Sequence, residues 1–337
     1  MLGRGFPFLI AVLLFSFCSW AQANDELVLE GYCNDQGSPR LEYKVPPDAT
    51  GVELYRSTSN LADCTDPRVY PIVCYTMPPE TRVYDDYFAP QDVTVYYQLR
   101  VNFQNRRSIR SGVVAVETPA PPNVSLRYPY LMVDKLSYTM FLMDNGEMVR
   151  RFPIALGQNP INRKLHQDRA STPEGLYRII NLQPRATYYR AYDLNYPNTV
   201  DRERYDLFAE LGLLPWPQPD IGGEIQIHGE GIYQNWTWGC IALRNADMDW
   251  LFSRPELRTG IEVLIAGSEL TMEDLEAIAA ISYTEQLATT QQLRSLGIDD
   301  RKFHQAVGRF QHQCRIPITG QLDLRTKERL RRTFGAR

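Results

Sequence analysis

Between residues 27 and 117 apolar and polar positions alternate in short runs, as in Arg40-Leu-Glu-Tyr-Lys-Val45, Val52-Glu-Leu-Tyr-Arg56, Val93 to Val101 and Gly112 to Glu117. Side chains of a strand point to opposite faces in turn, so this period of two predicts strands with one buried face. Turn-forming residues between the runs predict a small all-β unit over 24–117. Thr118-Pro-Ala-Pro-Pro122 cannot easily continue a strand or enter a helix interior, and reads as a semi-rigid linker at 118–122. Strand-like runs resume at Leu131–Asp134, Thr139–Met143 and Met148–Leu156, with Asp144-Asn-Gly146 as a hairpin turn, and end at Ile261–Ile265. A second β unit is therefore expected over 123–267. From Thr271 the period changes to helical spacing through Leu275, Ile278, Leu287, Leu293, Phe303, Val307 and Phe310, which predicts a small helical unit over 268–337.

The first residues follow a different rule. One arginine, an apolar run from Phe6 to Phe17 and the small residues Ala21-Gln-Ala23 read as a secretory signal peptide over 1–23. The run is short for a membrane span, and Phe17 before Cys18 does not suit lipoprotein processing. With the leader removed, no integral membrane segment is expected, and the location is the periplasm or cell wall. Export permits disulfides. Five cysteines follow the leader, an odd number, and a Cys64–Cys74 bridge is expected to leave Cys240 free, with the pairing of Cys33 open.

Charge is uneven. The chain carries a net −4, yet residues 283–337 hold eleven Lys or Arg against five Asp or Glu. On an exported protein a basic tail favours a polyanion such as the cell wall over nucleic acid, while a solvated helix face gives the same pattern.

Candidate chemistry concentrates in Ile225-Gln-Ile-His228-Gly-Glu-Gly-Ile-Tyr-Gln-Asn-Trp236-Thr-Trp238-Gly-Cys240-Ile-Ala-Leu-Arg244. Two neighbouring strands would bring His228 and Cys240 together, and an imidazole beside a thiol produces a reactive thiolate–imidazolium pair. Gly239 would let backbone N–H groups at 238–240 face an acyl oxygen as an oxyanion hole. Read from the residues alone, this is acyl transfer. No spacing of three or four metal ligands exists, and no cofactor is called for.

The segment resembles the L,D-transpeptidase catalytic domain of the YkuD or ErfK type, which carries His, a gap, then Ser or Thr-His-Gly-Cys. His228, Thr237, Gly239, Cys240 and Ile241 carry the match, with Asn245 and Asp247 downstream. Upstream, Val133–Lys135, Ala155–Gly157, Asn159-Pro160, Lys164, Asp168, Thr172–Gly175 and Tyr196–Asn198 fall in the family's order. Three positions depart from it: Trp238 replaces the second histidine, Ala242 replaces Arg or Asn, and eleven residues separate His228 from Cys240. The resemblance implies a cysteine-dependent acyltransferase acting on peptidoglycan stem peptides, with Cys240 as nucleophile, His228 as base and the Gly229 carbonyl orienting the imidazole. Thr237, Trp238, Arg244 and Trp236 are the candidate substrate contacts, and His166 is read as an exposed loop histidine. Two alternatives stay open, a carboxypeptidase or endopeptidase of the same fold and a non-catalytic wall-binding scaffold.

The flanking units carry resemblances too. The "VELYRS", "VYDDY" and "VYYQLRV" segments are similar to a fibronectin type III sandwich, which implies a spacer or a contact for a protein partner. Phe310-Gln311, Gly320, Leu322-Asp323 and Thr326 resemble half of a peptidoglycan-binding type 1 domain, which implies a separable targeting module. The fold class is thus multidomain and mainly β: an N-terminal fibronectin III-like β-sandwich, a β-sandwich-like catalytic domain and a small C-terminal helical domain.

Overall fold

Residues 27–64 and 66–335 are described by a computed structural model, so the leader read at 1–23 lies outside the described residues. The alternating runs form β1 (Val28–Cys33), β2 (Pro39–Lys44), β3 (Ala49–Ser57), β4 (Ile72–Met77), β5 (Val83–Asp85), β6 (Val93–Phe103), β7 (Ile109–Arg110) and β8 (Val114–Thr118). They build a β1-β2-β5 sheet and a β4-β3-β6-β7 sheet with β8 paired to β6. Every second residue of β6, from Val95 to Val101, enters the core with Leu41, Tyr43, Val52 and Leu54. Thr118, read in the sequence as the first linker residue, is instead the last residue of β8, its hydroxyl donating to the Val93 carbonyl.

The expected Cys64–Cys74 bridge is absent, and all five cysteines of the described residues are free thiols. Register explains this. Cys74 lies opposite Tyr55 in the β3–β4 pairing, whereas the Cys64 N–H is bonded to the Asn60 carbonyl beyond the end of β3.

The central unit contains β9 (Pro129–Asp134), β10 (Thr139–Asp144), β11 (Glu147–Pro153), β12 (Gly175–Ala186), β13 (Tyr189–Leu194), β14 (Gln226–His228), β15 (Ile241–Ala242) and β16 (Glu262–Ala266). Their order is β11-β10-β9-β16-β12-β13-β14-β15. The long strand β12 pairs with β16 through Gly175–Arg178 and with β13 from Ile179 onward, across a register shift. A bulged strand shared in this way turns the corner between two packed layers. Leu131, Val133, Met140, Tyr192, Ile227, Ile241 and Ile265 fill the space between.

Two helices in this unit are additions to the strand-only reading. Helix α1 (Thr199–Glu210) starts at a capping box in which Asn198 and Asp201 satisfy each other's backbone N–H groups, and α2 (Asn245–Phe252) buries Met248 and Leu251. The Asn-x-x-Asp signal is visible in the sequence. The weakly amphipathic run behind it hides the helix.

The N-terminal unit is fastened to the central one. Arg56 forms a buried ion pair with Asp86 at 2.9 Å and donates to the Ser137 carbonyl at 2.6 Å. Arg151 donates to the Tyr87 carbonyl, and Arg244 to that of Asp92.

Helices α3 (Met272–Ala279), α4 (Tyr283–Ser295), α5 (Phe303–Gln313) and α6 (Leu324–Gly335) complete the chain; Leu293, Val307, Phe310, Leu322 and Leu330 form a core among α4, α5 and α6. The motif residue Gln311 is buried, and its amide donates to Thr319, Thr326 and the Gln321 carbonyl. It staples the turn before α6 and is not a surface contact. Nor is the unit simply appended. Arg204 on α1 donates to the Ile318 carbonyl at 2.7 Å and to Lys164 at 3.2 Å and pairs with Glu269 at 3.0 Å, while Arg163 donates to Thr319 at 3.2 Å. Among the described residues no helix is long and apolar enough to cross a membrane.

Both arginines are buried at the seam, and this bears on truncation. Removing 283–337 strips them of the Ile318 and Thr319 carbonyls, so the truncated protein should melt lower. Arg204→Ala should cost about 3 kcal/mol in equilibrium denaturation, because Glu269 and two carbonyls lose their partner. An unchanged denaturation midpoint in Arg204→Ala would contradict the bracing role.

Candidate active site

Strand β14 is three residues long, and its position decides the site. It pairs antiparallel with β13 and parallel with β15, with Ile227 opposite Ile241 and His228 opposite Ala242. Cys240 immediately precedes β15 and so lies opposite Gln226. Positions 226 and 228 share a face, which puts the His228 imidazole and the Cys240 thiol on one side of the two strands.

His228 is 1% exposed, and its Nδ1 lies 2.8 Å from the Gly229 carbonyl. A carbonyl can only accept, so Nδ1 carries the proton and Nε2 keeps its lone pair for use as a base. The Gly229 backbone has its own reason. Its N–H is shared between the Tyr188 and Arg190 carbonyls, and a Cβ there would collide with Asn245 Oδ1, which accepts from the Glu230 N–H at 2.8 Å. Asn245, at the start of α2, thus sets the path of the loop that leaves His228.

Tyr188 packs on the imidazole at 4.9 Å between ring centroids, and Trp236 meets both rings edge-on at 5.3 and 5.4 Å. Tyr188 stands in the turn between β12 and β13, 41% exposed, and the sequence reading overlooks it. Only the β13–β14 pairing brings it to a histidine forty positions away.

The thiol of Cys240 is partly exposed and hydrogen-bonds the Glu224 carbonyl at 3.5 Å rather than the imidazole. Burial pushes the thiol upward, opposed by the Gln226 N–H and by the Lys164 ammonium. Burial pushes His228 downward, opposed by its bond to Gly229. Both shifts favour the neutral forms of the resting pair, a thiol and an imidazole, over the thiolate–imidazolium form.

Residues 237–240 form a tight turn. Thr237 Oγ1 donates to the Cys240 carbonyl at 2.7 Å and accepts from the Gly239 N–H at 3.2 Å. Thr237 is buried and its hydroxyl is engaged within the turn, which it shapes. The Gly239 N–H is likewise taken, which leaves the Trp238 and Cys240 N–H groups of the turn as candidate donors to an acyl oxygen. Gly239 itself sits at φ +127°, and a Cβ would lie 2.5 Å from the Ser171 carbonyl.

The remaining site expectations divide. Trp238 is 68% exposed beside the thiol and is free to meet a ligand. Trp236 donates its indole N–H to the Gly231 carbonyl at 3.2 Å and serves His228. Arg244 is spent on Asp247 at 2.6 Å and on the Asp92 carbonyl, so it is not available for a carboxylate of the substrate. His166 is buried, contrary to the exposed reading. Lys164, legible only as part of a motif, donates to the Trp238 carbonyl at 3.3 Å. No cluster of three metal-ligating side chains is found among the described residues.

Gly239→Val should therefore abolish acylation in a folded protein, and Trp238→His should retain most of it. Intact-mass measurement of acyl-enzyme in both variants, with circular dichroism as the folding control, checks this. Equal acylation by Gly239→Val and the parent would refute the role given to the turn.

Residues 128–265 match the model of the YkuD family, described as the L,D-transpeptidase catalytic domain. Curated proteins give no match. Among solved structures, the chain is similar to an L,D-transpeptidase (residues 123–326) from Xylanimonas cellulosilytica at 18% identity and a TM-score of 0.28, covering 44% of this chain and 64% of that one. It is similar to L,D-transpeptidase 1 of Mycobacterium tuberculosis at 14% identity and a TM-score of 0.27, covering 59% and 79%. A third similarity, to an Fn3-like protein from Clostridium thermocellum, has 17% identity and a TM-score of 0.21, covering 28% and 93%. The central unit of this chain, residues 128–265, is a YkuD domain, of the L,D-transpeptidase catalytic domain family.

Proposed function

We propose that the chain is a cysteine-dependent L,D-transpeptidase of the periplasm or cell wall that joins peptidoglycan stem peptides through a thioester on Cys240. One observation carries this reading: within the matched segment, strand register sets an oriented imidazole and a cysteine on the same face of β14 and β15.

In the first half-reaction His228 Nε2 takes the thiol proton, and sulfur attacks the carbonyl of the third stem residue, whose amide joins it to the terminal D-alanine. The C–N bond breaks, a C–S bond forms, and the imidazolium returns its proton to the departing D-alanine amine. An amine from a second stem then attacks the thioester, C–N replaces C–S, and the thiol is regenerated. The Cys240 N–H serves the oxyanion in both halves. Because Nδ1–H is held by a neutral carbonyl rather than a carboxylate, no fixed negative charge stabilises the imidazolium, and proton transfer is concerted with attack.

The exposed Trp238 and Tyr188 flank the two reacting groups and supply flat apolar walls for a stem peptide. The N-terminal β unit serves as a fibronectin-like spacer or a protein contact. The helical unit adds affinity for the wall while bracing the loop that carries Lys164.

Turnover is tested with a tetrapeptide-stem muropeptide, with products separated by chromatography. The parent should release D-alanine and form cross-linked dimers, Cys240→Ala should form none, and His228→Ala should be slower by about a hundredfold. Release of D-alanine without dimers would favour the hydrolase reading, and dimers from Cys240→Ala would defeat the proposal. The pH dependence has a definite sign. A lowered imidazole stays a competent base below the ordinary histidine value of about 6.5, and a raised thiol ionises only at or above the ordinary value of about 8.5. Acylation should thus persist in mild acid, and iodoacetamide should label Cys240 of the free enzyme no faster at pH 7 than an ordinary thiol. Fast labelling at pH 6 would contradict the neutral resting pair.

A further inference from the structure

Two lysines of the central unit are buried, and they are treated differently. Lys135 is matched by Glu174 at 2.8 Å. Lys164 is buried as well, 3% exposed, and among the described residues no carboxylate lies within ion-pairing distance of it. An ammonium withdrawn from water without a counter-charge is costly, so a fold that keeps one has a use for it. Its head group is placed by the Trp238 carbonyl at 3.3 Å and by the Tyr196 ring, whose centroid is 6.0 Å away. Its backbone is pinned from both sides: the Lys164 N–H donates to the Thr172 carbonyl at 3.3 Å, and the Lys164 carbonyl accepts from Arg204 at 3.2 Å. The ammonium therefore has little freedom to leave the 238–240 turn.

We propose that Lys164 is the fixed positive charge that stabilises the Cys240 thiolate as His228 removes its proton. The inference rests on Cys240 being the nucleophile. Around the thiol stand the His228 imidazole from β14, Glu224 from the segment before β14 and Asp193 from β13, and both carboxylates oppose ionisation. Lys164 is the side-chain charge that favours it. Around Lys164 stand Asp168 and His166 of its own loop and Arg204 from α1, and an ionised Cys240, followed by Asp168, favours its charged form. The coupling is thus mutual, and it supplies a positive counter-charge for the thiolate inside the site. Since Trp238 contributes only its backbone oxygen to this contact, its side chain remains free for substrate.

The test is the pH-rate profile of iodoacetamide labelling at Cys240, read at that peptide by mass spectrometry because four other free thiols are present among the described residues. Lys164→Gln keeps a donor for the Trp238 carbonyl but removes the charge, and should move the profile up by about one pH unit, a roughly tenfold slower reaction at pH 7. Lys164→Arg should stay close to the parent. A parental profile in folded Lys164→Gln would overturn the proposal and reduce Lys164 to a turn-holding residue. A second measurement needs no variant: the 15N titration of Lys164 Nζ in the native protein should shift to lower pH when Cys240 is blocked by alkylation. An unchanged titration would overturn the proposal equally. Either negative result would leave the muropeptide assay of Cys240→Ala untouched, so failure of this inference is separable from failure of the transpeptidase reading.

Discussion

The parallel pairing of β14 with β15 is the constraint on which the site depends. Two residue pairs, Ile227 with Ile241 and His228 with Ala242, determine that imidazole and thiol share a face. A slip of one residue would send one of them to the opposite face. So short a pairing cannot hold itself. It is fixed by the burial of Ile227, Ile241 and Leu243 in the central core, by the Ala155 bridge to Ala242, and by the Thr237 hydroxyl that closes the turn before β15.

The same constraint explains the glycines and the helix that follow. Gly239 must reverse the chain against the Ser171 carbonyl, and Gly229 must pass beside Asn245. Asn245 opens α2, and the preceding Arg244 is held to the first turn of that helix by its ion pair with Asp247. Charges that look like ligand contacts in the sequence are therefore spent on holding backbone. What is left facing outward at the thiol is mainly aromatic.

Much of this was legible beforehand. Period-two alternation located strands of the N-terminal unit such as β2 and β6, which bury one face, whereas the 131–134, 139–143 and 148–156 runs were legible as short apolar runs whose strands bury consecutive residues. Cys240 and His228, the proposed nucleophile and base, were named from a family pattern, and so was the Gly229 carbonyl, which lies 2.8 Å from His228 Nδ1. What escaped depends on the third dimension. Tyr188 reaches His228 through a strand pairing, Lys164 reaches Trp238 across seventy-four positions, and Arg204 joins three segments of chain. The direction of both pKa shifts escaped for another reason: sequence names the titrating groups but not their burial, which is the largest cause for each. The basic C-terminal segment misled as a free-standing module, since its docking carbonyls at Ile318 and Thr319 belong to the backbone and leave no trace in residue type.

The central claim is that acyl transfer runs through sulfur at position 240. Peptide mapping of the enzyme quenched in acid during turnover of a tetrapeptide-stem donor tests it most directly. The account predicts a thioester-linked tripeptide stem on the Cys240 peptide, labile to hydroxylamine and missing when His228 is replaced by alanine at the same short reaction time. An acyl group found on any other residue, or turnover with Cys240 unmodified throughout, would contradict it.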